Sequence, residues 1–312
     1  MANPSIFTPK FTNELSQHLT RIPTIQIDSL SRLTPDRLRQ TAFPHIGSIE
    51  LVHSQDFMPL YNQLYVDMFP KRTERESSAL IVERLAAQAI GVRDGLAPYH
   101  IVGIRDHAGN AIGAAHFSVL CLPPDVNGNK FAVPYLQYIY VRPENRRQDI
   151  SEVLHTMVLA VASADVGIEG RTVPFTLFET EPAGYGEDEK SRAVSLQRTK
   201  IHASAGSVAL VLRRHSDGKV LSAHVQPGLE GDDQPLTLTW AIRESPNQNQ
   251  GPGPDYNVAS IGAHLVAAYY QSLRDEGFPL DNIRLAESIL QERCVESTFE
   301  TMALGDVVAH VN

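Results

Sequence analysis

The sequence predicts an α/β chain of the α+β kind, and three observations carry that reading. Short runs alternate apolar and polar residues, as in Leu236, Leu238, Trp240 and Ile242, the two-residue period of a strand. Other stretches follow the helical stripe: Phe57, Leu60, Tyr61, Leu64, Tyr65 and Met68 fall on one helix face. Third, residues 135–161 pass from an apolar strand through an arginine-bearing loop into an amphipathic helix.

Residues 1–45 are polar and broken by prolines, and read as an N-terminal arm packed on the surface or a lid over substrate. Within the arm, Thr34-Pro35-Asp36 is an N-cap followed by proline at the first helical position, so a short helix is expected through Ala42. Ser48–His53 reads as a strand. A helix capped by Asp56 and stopped by Pro70 follows. A second helix is expected over Ser77–Ile90, burying Leu80, Val82, Leu85, Ala86 and Ala89. Tyr99–Arg105 and Ala111–Leu120 flank a glycine-containing loop and read as a hairpin. After the central strand and helix come a strand over Thr172–Glu181, a helix over Ser191–Ala205 ended by Gly206, and strands over Val208–Arg214 and Leu236–Arg243.

Residues 246–257 form a linker, too rich in proline and glycine for either ladder. Beyond it, Ala259–Glu276 and Ile283–Val295 read as helices of a C-terminal extension over 258–312. That segment is expected to pack on the core, shape a substrate cleft or mediate a homodimer. The expected division is therefore an arm (1–45), a main domain (46–245), the linker and the extension.

Composition narrows the function. The 312 residues are 42% hydrophobic and 20% charged, ordinary for a globular chain with a substantial core. No run approaches the ~18–20 apolar residues that span a bilayer, so no membrane partner is expected. No secretory leader is visible in Met1–Lys10, and Cys121 and Cys294 define neither a disulfide framework nor a metal spacing. A cytoplasmic location is the expectation. The net charge of −9 argues against nucleic acid as a partner and favours a cationic or amine substrate.

The chemistry concentrates at the strand–loop–helix junction. Such a junction points unpaired backbone N–H groups and the positive end of a helix dipole at one spot, which suits a pyrophosphate. Arg146 and Arg147 add two permanent charges. Val141, Pro143, Arg146, Ile150 and Leu154 fall on the pattern V-x-P-x-x-R-x-x-G-x-G plus apolar helix. In this the segment resembles the acyl-CoA-binding segment of the GNAT superfamily of N-acetyltransferases. Asp149 and Ser151 stand where that family has glycine; a carboxylate at 149 is expected to repel the ligand, whereas a serine hydroxyl can donate to it.

The order strand, two helices, hairpin, strand, helix, strand, helix, two strands over 46–245 is also that of a single GNAT domain. The resemblance implies a mixed central sheet flanked by helices, and acetyl-CoA or another acyl-CoA as co-substrate. The amides near Tyr140 and Val141 would hold the acyl carbonyl, and those of Arg147, Gln148, Asp149, Ile150 and Ser151 the pyrophosphate. Aligning the family's late-helix tyrosine segment on Gly206 places His202 at the position of the general acid; the plain alternative is a polar helix residue without a role. The central strand carries Gln137 where many relatives carry a glutamate base. Glu179 and Glu181, two apart and so expected on one face, are the substitutes, with cationic-substrate binding or a mere strand-end fringe as alternatives. Tyr138 and Tyr140 read chiefly as packing residues.

The twelve histidines show neither i, i+4 pairing nor a carboxylate companion, so no metal is expected. G-x-S-x-G and P-loop patterns are absent. The reading is an acyl-CoA-dependent N-acyltransferase, acetyl being the expected group, acting on a small-molecule or peptide amine by direct attack. A catalytically silent GNAT-shaped binding module, or a transferase of longer acyl chains, stands beside it.

Overall fold

Thr34 accepts a hydrogen bond from the Arg37 amide at 3.3 Å, and Pro35 opens helix α2, Pro35–Thr41, as its sequence dictates. It is preceded by α1, Asn13–Leu19, capped by Thr12, a helix not anticipated within the arm. In the computed structural model, residues 5–21, 26–72, 75–228, 234–246 and 256–307 are described. The chain divides into two compact units. Unit 1 holds residues 1–119, 132–173 and 245–250; unit 2 holds 120–131, 174–244 and 251–312. The arm expected over 1–45 thus belongs to unit 1, burying Phe7, Leu15, Leu30 and Leu38, and the expected domain over 46–245 is shared between both units.

In unit 1, β1 (Ser48–Leu51) pairs antiparallel with β2 (Tyr99–Arg105), and β2 with β3 (Ala111–Cys121), as the hairpin reading requires. Asp106 closes the hairpin by accepting the amides of Ala108 and Asn110 at 2.9 and 2.8 Å. The other neighbour of β3 is β4, Ala132–Val141. The helix expected from Asp56 begins earlier and is not uniform. Its α3 turn, Ser54–Asp56, widens into a π-helical turn over Phe57–Tyr61 and resumes as α4, Asn62–Met68. Pro59 lies inside the wide turn; lacking an N–H, it cannot make the i→i−4 bond, and the ladder re-forms around it.

Helix α5, Ser78–Ala89, is capped by Ser77 but turns a different face inward than the apolar count suggests. Ile81, Arg84 and Leu85 are buried, and Leu80 is 49% exposed. The cause is Arg84, held inside by a two-pronged pair with Glu76 at 2.9 and 3.1 Å. Helix α6, Ile150–Val166, lies against β4 and β2. Contrary to the sequence expectation, the stretch Ile150–Glu169 is long and apolar enough to cross a membrane by composition, yet it is mostly buried as the core helix of unit 1.

The strand pairings of unit 2 are antiparallel among the described residues. β5 (Phe175–Thr180) pairs with β8 (Thr239–Glu244), and β8 with β6 (Ser207–Arg214). β7, Val220–Ser222, takes over the same edge of β6 where β8 leaves it, and β9, Ser297–Ala303, runs along the opposite edge. Neither β7 nor β9 was expected. Helix α7, Glu189–Ser204, is capped by Asp188 through the Ser191 amide at 2.6 Å, and Gly206 follows it in the left-handed conformation, φ 80°. Most of the expected linker, residues 247–255, lies outside the described residues. The segment expected as an extension packs on the core of unit 2, the first of the expected alternatives: α8 (Val258–Asp275) and α9 (Leu280–Cys294) bury Leu265, Tyr269, Tyr270, Ile283 and Leu290, and α8 meets β9 so closely that a Cβ on Gly262 would lie 2.3 Å from the Phe299 ring. The α+β class and the order of elements from β1 through α7 to β6 are those the sequence predicts.

Candidate functional site

The junction in unit 1 forms as its residue pattern requires. β4 ends at Val141, Pro143–Asn145 make one 3-10 turn, and α6 starts at Ile150. Arg147 and Asp149 both hold positive φ, 63° and 56°, a region that costs most residues free energy but that Asp tolerates better than most. Asp149 therefore adopts the backbone conformation for which the resembled segment uses glycine.

Its carboxylate does not sit on the helix end. The side chain makes no capping bond to α6. It turns to α2 instead, taking Arg37 Nε at 2.8 Å, Arg37 Nη2 at 3.3 Å and Thr41 Oγ1 at 3.0 Å. The expected repulsion of a phosphate is thus offset by a partner from the arm. The Asp149 carbonyl accepts the amides of Glu152 and Val153, at 3.1 and 3.3 Å. The amides of Ile150 and Ser151 belong to the first turn, which has no intrahelical acceptors. Glu152 points away to the arm, accepting the Arg32 amide at 2.7 Å and Ser31 Oγ at 3.3 Å. Gln148 Oε1 accepts from Asn145 Nδ2 at 3.2 Å, and Arg146 extends over Met68 Sδ at 3.5 Å. Arginine charge, first-turn amides and a neutralised carboxylate together suit a diphosphate.

Beneath the loop, Tyr140 and Tyr138 do pack. Tyr140 Oη lies 3.0 Å from His116 Nε2, and Tyr138 Oη accepts the Glu76 amide at 3.0 Å. Burial raises both phenols well above their ordinary range, so neither is a proton donor of useful acidity. Gln137, where the resemblance implies a glutamate base, has a buried Oε1 without a hydrogen-bond partner among the described residues, an acceptor that a ligand N–H would satisfy.

Unit 2 holds the predicted proton-handling residues. Glu179 and Glu181 do not share a face, because β5 ends at Thr180 and Glu181 lies past the alternating stretch. Glu179 meets α8: it accepts Tyr269 Oη at 3.1 Å and lies 2.7 Å from His224 Nε2. Glu181 pairs with Arg198 of α7 at 3.1 Å. The mutual carboxylate repulsion expected from their spacing therefore has no geometric basis. His202 packs against Phe178 with the rings tilted at 46°, their centres 4.8 Å apart. Burial first, then the charges of Arg198 and Arg243, lower its pKa to about 4, so the ring is neutral at pH 7. A neutral imidazole accepts a proton more readily than it gives one.

Sequence reasoning missed His224. This fully buried ring stacks on Trp240 (4.7 Å, 13°) and meets Tyr269 edge-on. Its 2.7 Å approach to Glu179 lacks hydrogen-bond direction, and neither ring nitrogen has a hydrogen-bond partner among the described residues. Arg37 and Thr41 were missed as well; they lie over a hundred residues from Asp149, and no local spacing marks them.

No known family profile and no curated protein matches this chain. Solved structures do. The chain is similar to the GCN5-related glucosamine N-acetyltransferase region of a fungal multi-domain GH3 β-N-acetylglucosaminidase, at 13% identity and TM-score 0.32, covering 54% of this chain and 18% of that one. The match therefore spans under a fifth of the fungal protein. It is similar to a ribosomal-protein-alanine N-acetyltransferase from Brucella melitensis biovar Abortus 2308, at 24% identity and TM-score 0.26, covering 40% of this chain and 77% of that one. A third is a putative acyl-CoA N-acyltransferase from Klebsiella pneumoniae, at 14% identity and TM-score 0.24, covering 56% and 92%.

Proposed function

We propose that this chain is an acyl-CoA-dependent N-acyltransferase, moving acetyl in the first instance to a primary amine by direct attack. The observation that carries the reading is the state of Asp149: glycine-like backbone, carboxylate drawn off by Arg37 and Thr41, and no side-chain cap placed on the first turn of α6. Bound acyl-CoA would supply the thioester carbonyl that the amine attacks. The amides of residues 147–151 would hold the pyrophosphate, with Arg146 and Arg147 completing its neutralisation, and main-chain groups at Tyr140 and Val141 would orient the acyl group. Transfer must also take a proton from the attacking amine and return one to the departing CoA thiolate; Glu179, which accepts Tyr269 Oη at 3.1 Å, and Glu181 are the carboxylates of unit 2 that the sequence offers for the first task. For His202 the neutral ring favours accepting or relaying a proton over supplying one. The net charge of −9 draws a cationic acceptor toward the protein.

Acetyl-CoA is expected to raise the melting temperature, since a ligand bound by the native state alone stabilises it by mass action. Arg146→Ala should weaken that binding by on the order of tenfold or more, the worth of one charge-assisted hydrogen bond, without unfolding the chain. No shift at millimolar acetyl-CoA, with a shift for a long-chain acyl-CoA, would move the reading to longer donors. Neither shifting would leave the silent binding module.

Asp149→Gly supplies a second check. It relieves the left-handed backbone and frees Arg37 for the phosphates, so CoA affinity measured by calorimetry should rise a few-fold. A fall would show that the Arg37–Asp149 clamp itself shapes the loop.

A further inference from the structure

We infer that His18, His100 and Asp165 form a binding site for a single divalent transition metal of the zinc class, contained within unit 1 and separate from the acyl-CoA loop. This corrects the expectation that the chain's histidines lack a carboxylate companion: two of them share one. His18 comes from the last turn of α1, His100 from the start of β2 and Asp165 from the end of α6. One ligand atom from each lies within 4.8 Å of the others. Asp165 turns a different oxygen to each ring: Oδ1 is 3.1 Å from His18 Nε2, and Oδ2 is 2.7 Å from His100 Nε2.

A hydrogen-bonded bridge that satisfies both rings needs the carboxylate aligned on each, and only one ring meets that geometry. His100 meets hydrogen-bond geometry with the carboxylate. His18 does not: its Nε2 is buried without a hydrogen-bond partner among the described residues, although the carboxylate oxygen is 3.1 Å away. The His18 side chain is only 9% exposed, so solvent is a poor substitute. A buried imidazole nitrogen beside an acceptor yet not aimed at it costs free energy that some other partner must return. The rings stand 5.4 Å apart at 70°, not stacked, and their Nε2 atoms converge with the carboxylate.

That convergence is close to the dimensions of a metal site. Ligand bonds of ~2.0–2.2 Å place tetrahedral donors about 3.3–3.6 Å apart, so the 3.1 and 2.7 Å nitrogen–oxygen separations would open by a few tenths of an ångström around an ion. Two neutral imidazoles and one carboxylate suit zinc, cobalt or ferrous iron and leave a position for water; calcium and magnesium demand oxygen donors. Asp165 lies at the other end of α6 from Asp149, roughly 24 Å away at 1.5 Å per residue. A metal here would tie α1 to β2 and α6 rather than take part in acyl transfer.

The test uses the full chain, stripped with a chelator and titrated with Zn(II) against a chromophoric competitor, with Co(II) as a spectroscopic probe. One equivalent of Zn(II) should bind with sub-micromolar affinity and raise the melting temperature, and Co(II) should give visible d–d bands. His18→Gln, His100→Gln and Asp165→Asn should each lower affinity by on the order of 100-fold or more, since losing even an outer-shell partner costs up to that. Circular dichroism of the metal-free proteins separates lost ligation from lost folding, and His18→Gln, on the peripheral α1, still answers if Asp165→Asn fails to fold. Absence of stoichiometric uptake by the wild type, or uptake unchanged in the three variants, overturns the site and leaves a His–Asp–His polar cluster.

Discussion

Acidification from pH 7.5 to pH 5 is expected to cost unit 1 about 2 kcal/mol through His116 alone, as 1.5 pH units below the free imidazole value. His116 is completely buried among Phe57, Tyr65, Tyr99, Tyr138 and Tyr140. Burial first, then the charge of Arg84, lowers its pKa to about 3. Unfolded, the ring titrates near 6.5. Between those values the unfolded chain holds a proton that the folded chain refuses, so stability is full above about 6.5 and declines as pH falls toward 3. Tyr99 Oη at 3.2 Å and Tyr140 Oη at 3.0 Å satisfy the neutral ring. His116→Gln keeps a polar side chain without the titration. Denaturant melts at both pH values should show the wild type losing the extra 2 kcal/mol or so. An equal loss in His116→Gln would mean that the ring is not the titrating group. His202 adds a loss of the same sign in unit 2, which that comparison cancels.

Glu76→Gln should be still more damaging, at ~3–5 kcal/mol, because breaking a buried ion pair from one side leaves an uncompensated charge inside. Glu76 and Arg84 have side chains only 7% and 6% exposed, and the guanidinium also lies 4.5 Å over the Tyr99 ring. Glutamine preserves the shape but removes the charge and one of the two oxygens that accept from Arg84. The double substitution Glu76→Gln with Arg84→Met should recover part of the loss, since an apolar replacement of both partners leaves no orphaned ion. Chemical denaturation of the two variants decides it. A Glu76→Gln chain within about 1 kcal/mol of wild type, the worth of an exposed pair, would show the pair to be solvated.

Period and punctuation made most elements legible. Pro35 after Thr34, Ser77 before Leu80 and Gly206 after α7 each act through local backbone chemistry, so each reads directly from its neighbours. The failures have a common source in distance along the chain. β7 has three residues and β9 alternates polar groups on a half-exposed edge, so neither carries an apolar signal; their partners on β6 supply it. The α5 face was misread because Arg84 counts as a surface residue until Glu76 is seen beside it. Alternation placed Glu179 and Glu181 together only by assuming a strand that in fact ends between them. The strand–loop–helix junction was legible as a pattern, yet the partners that make Asp149 tolerable there come from the arm. His18, His100 and Asp165 sit on three separate elements, and a rule about histidine spacing within one helix has no means of joining them.

The pairing of β6 with β9 also sets an order of events during synthesis. Arg213 and Glu300, joined across that ladder, are 87 positions apart, so β6 leaves the ribosome long before the strand that covers it. Until then one side of β6 presents bare amides and carbonyls, the template on which foreign strands dock. Closing so large a loop is slow compared with forming the local helices. A nascent chain halted ahead of Ser297 would therefore be the sticky species in the cell, and chaperone demand should peak in that interval.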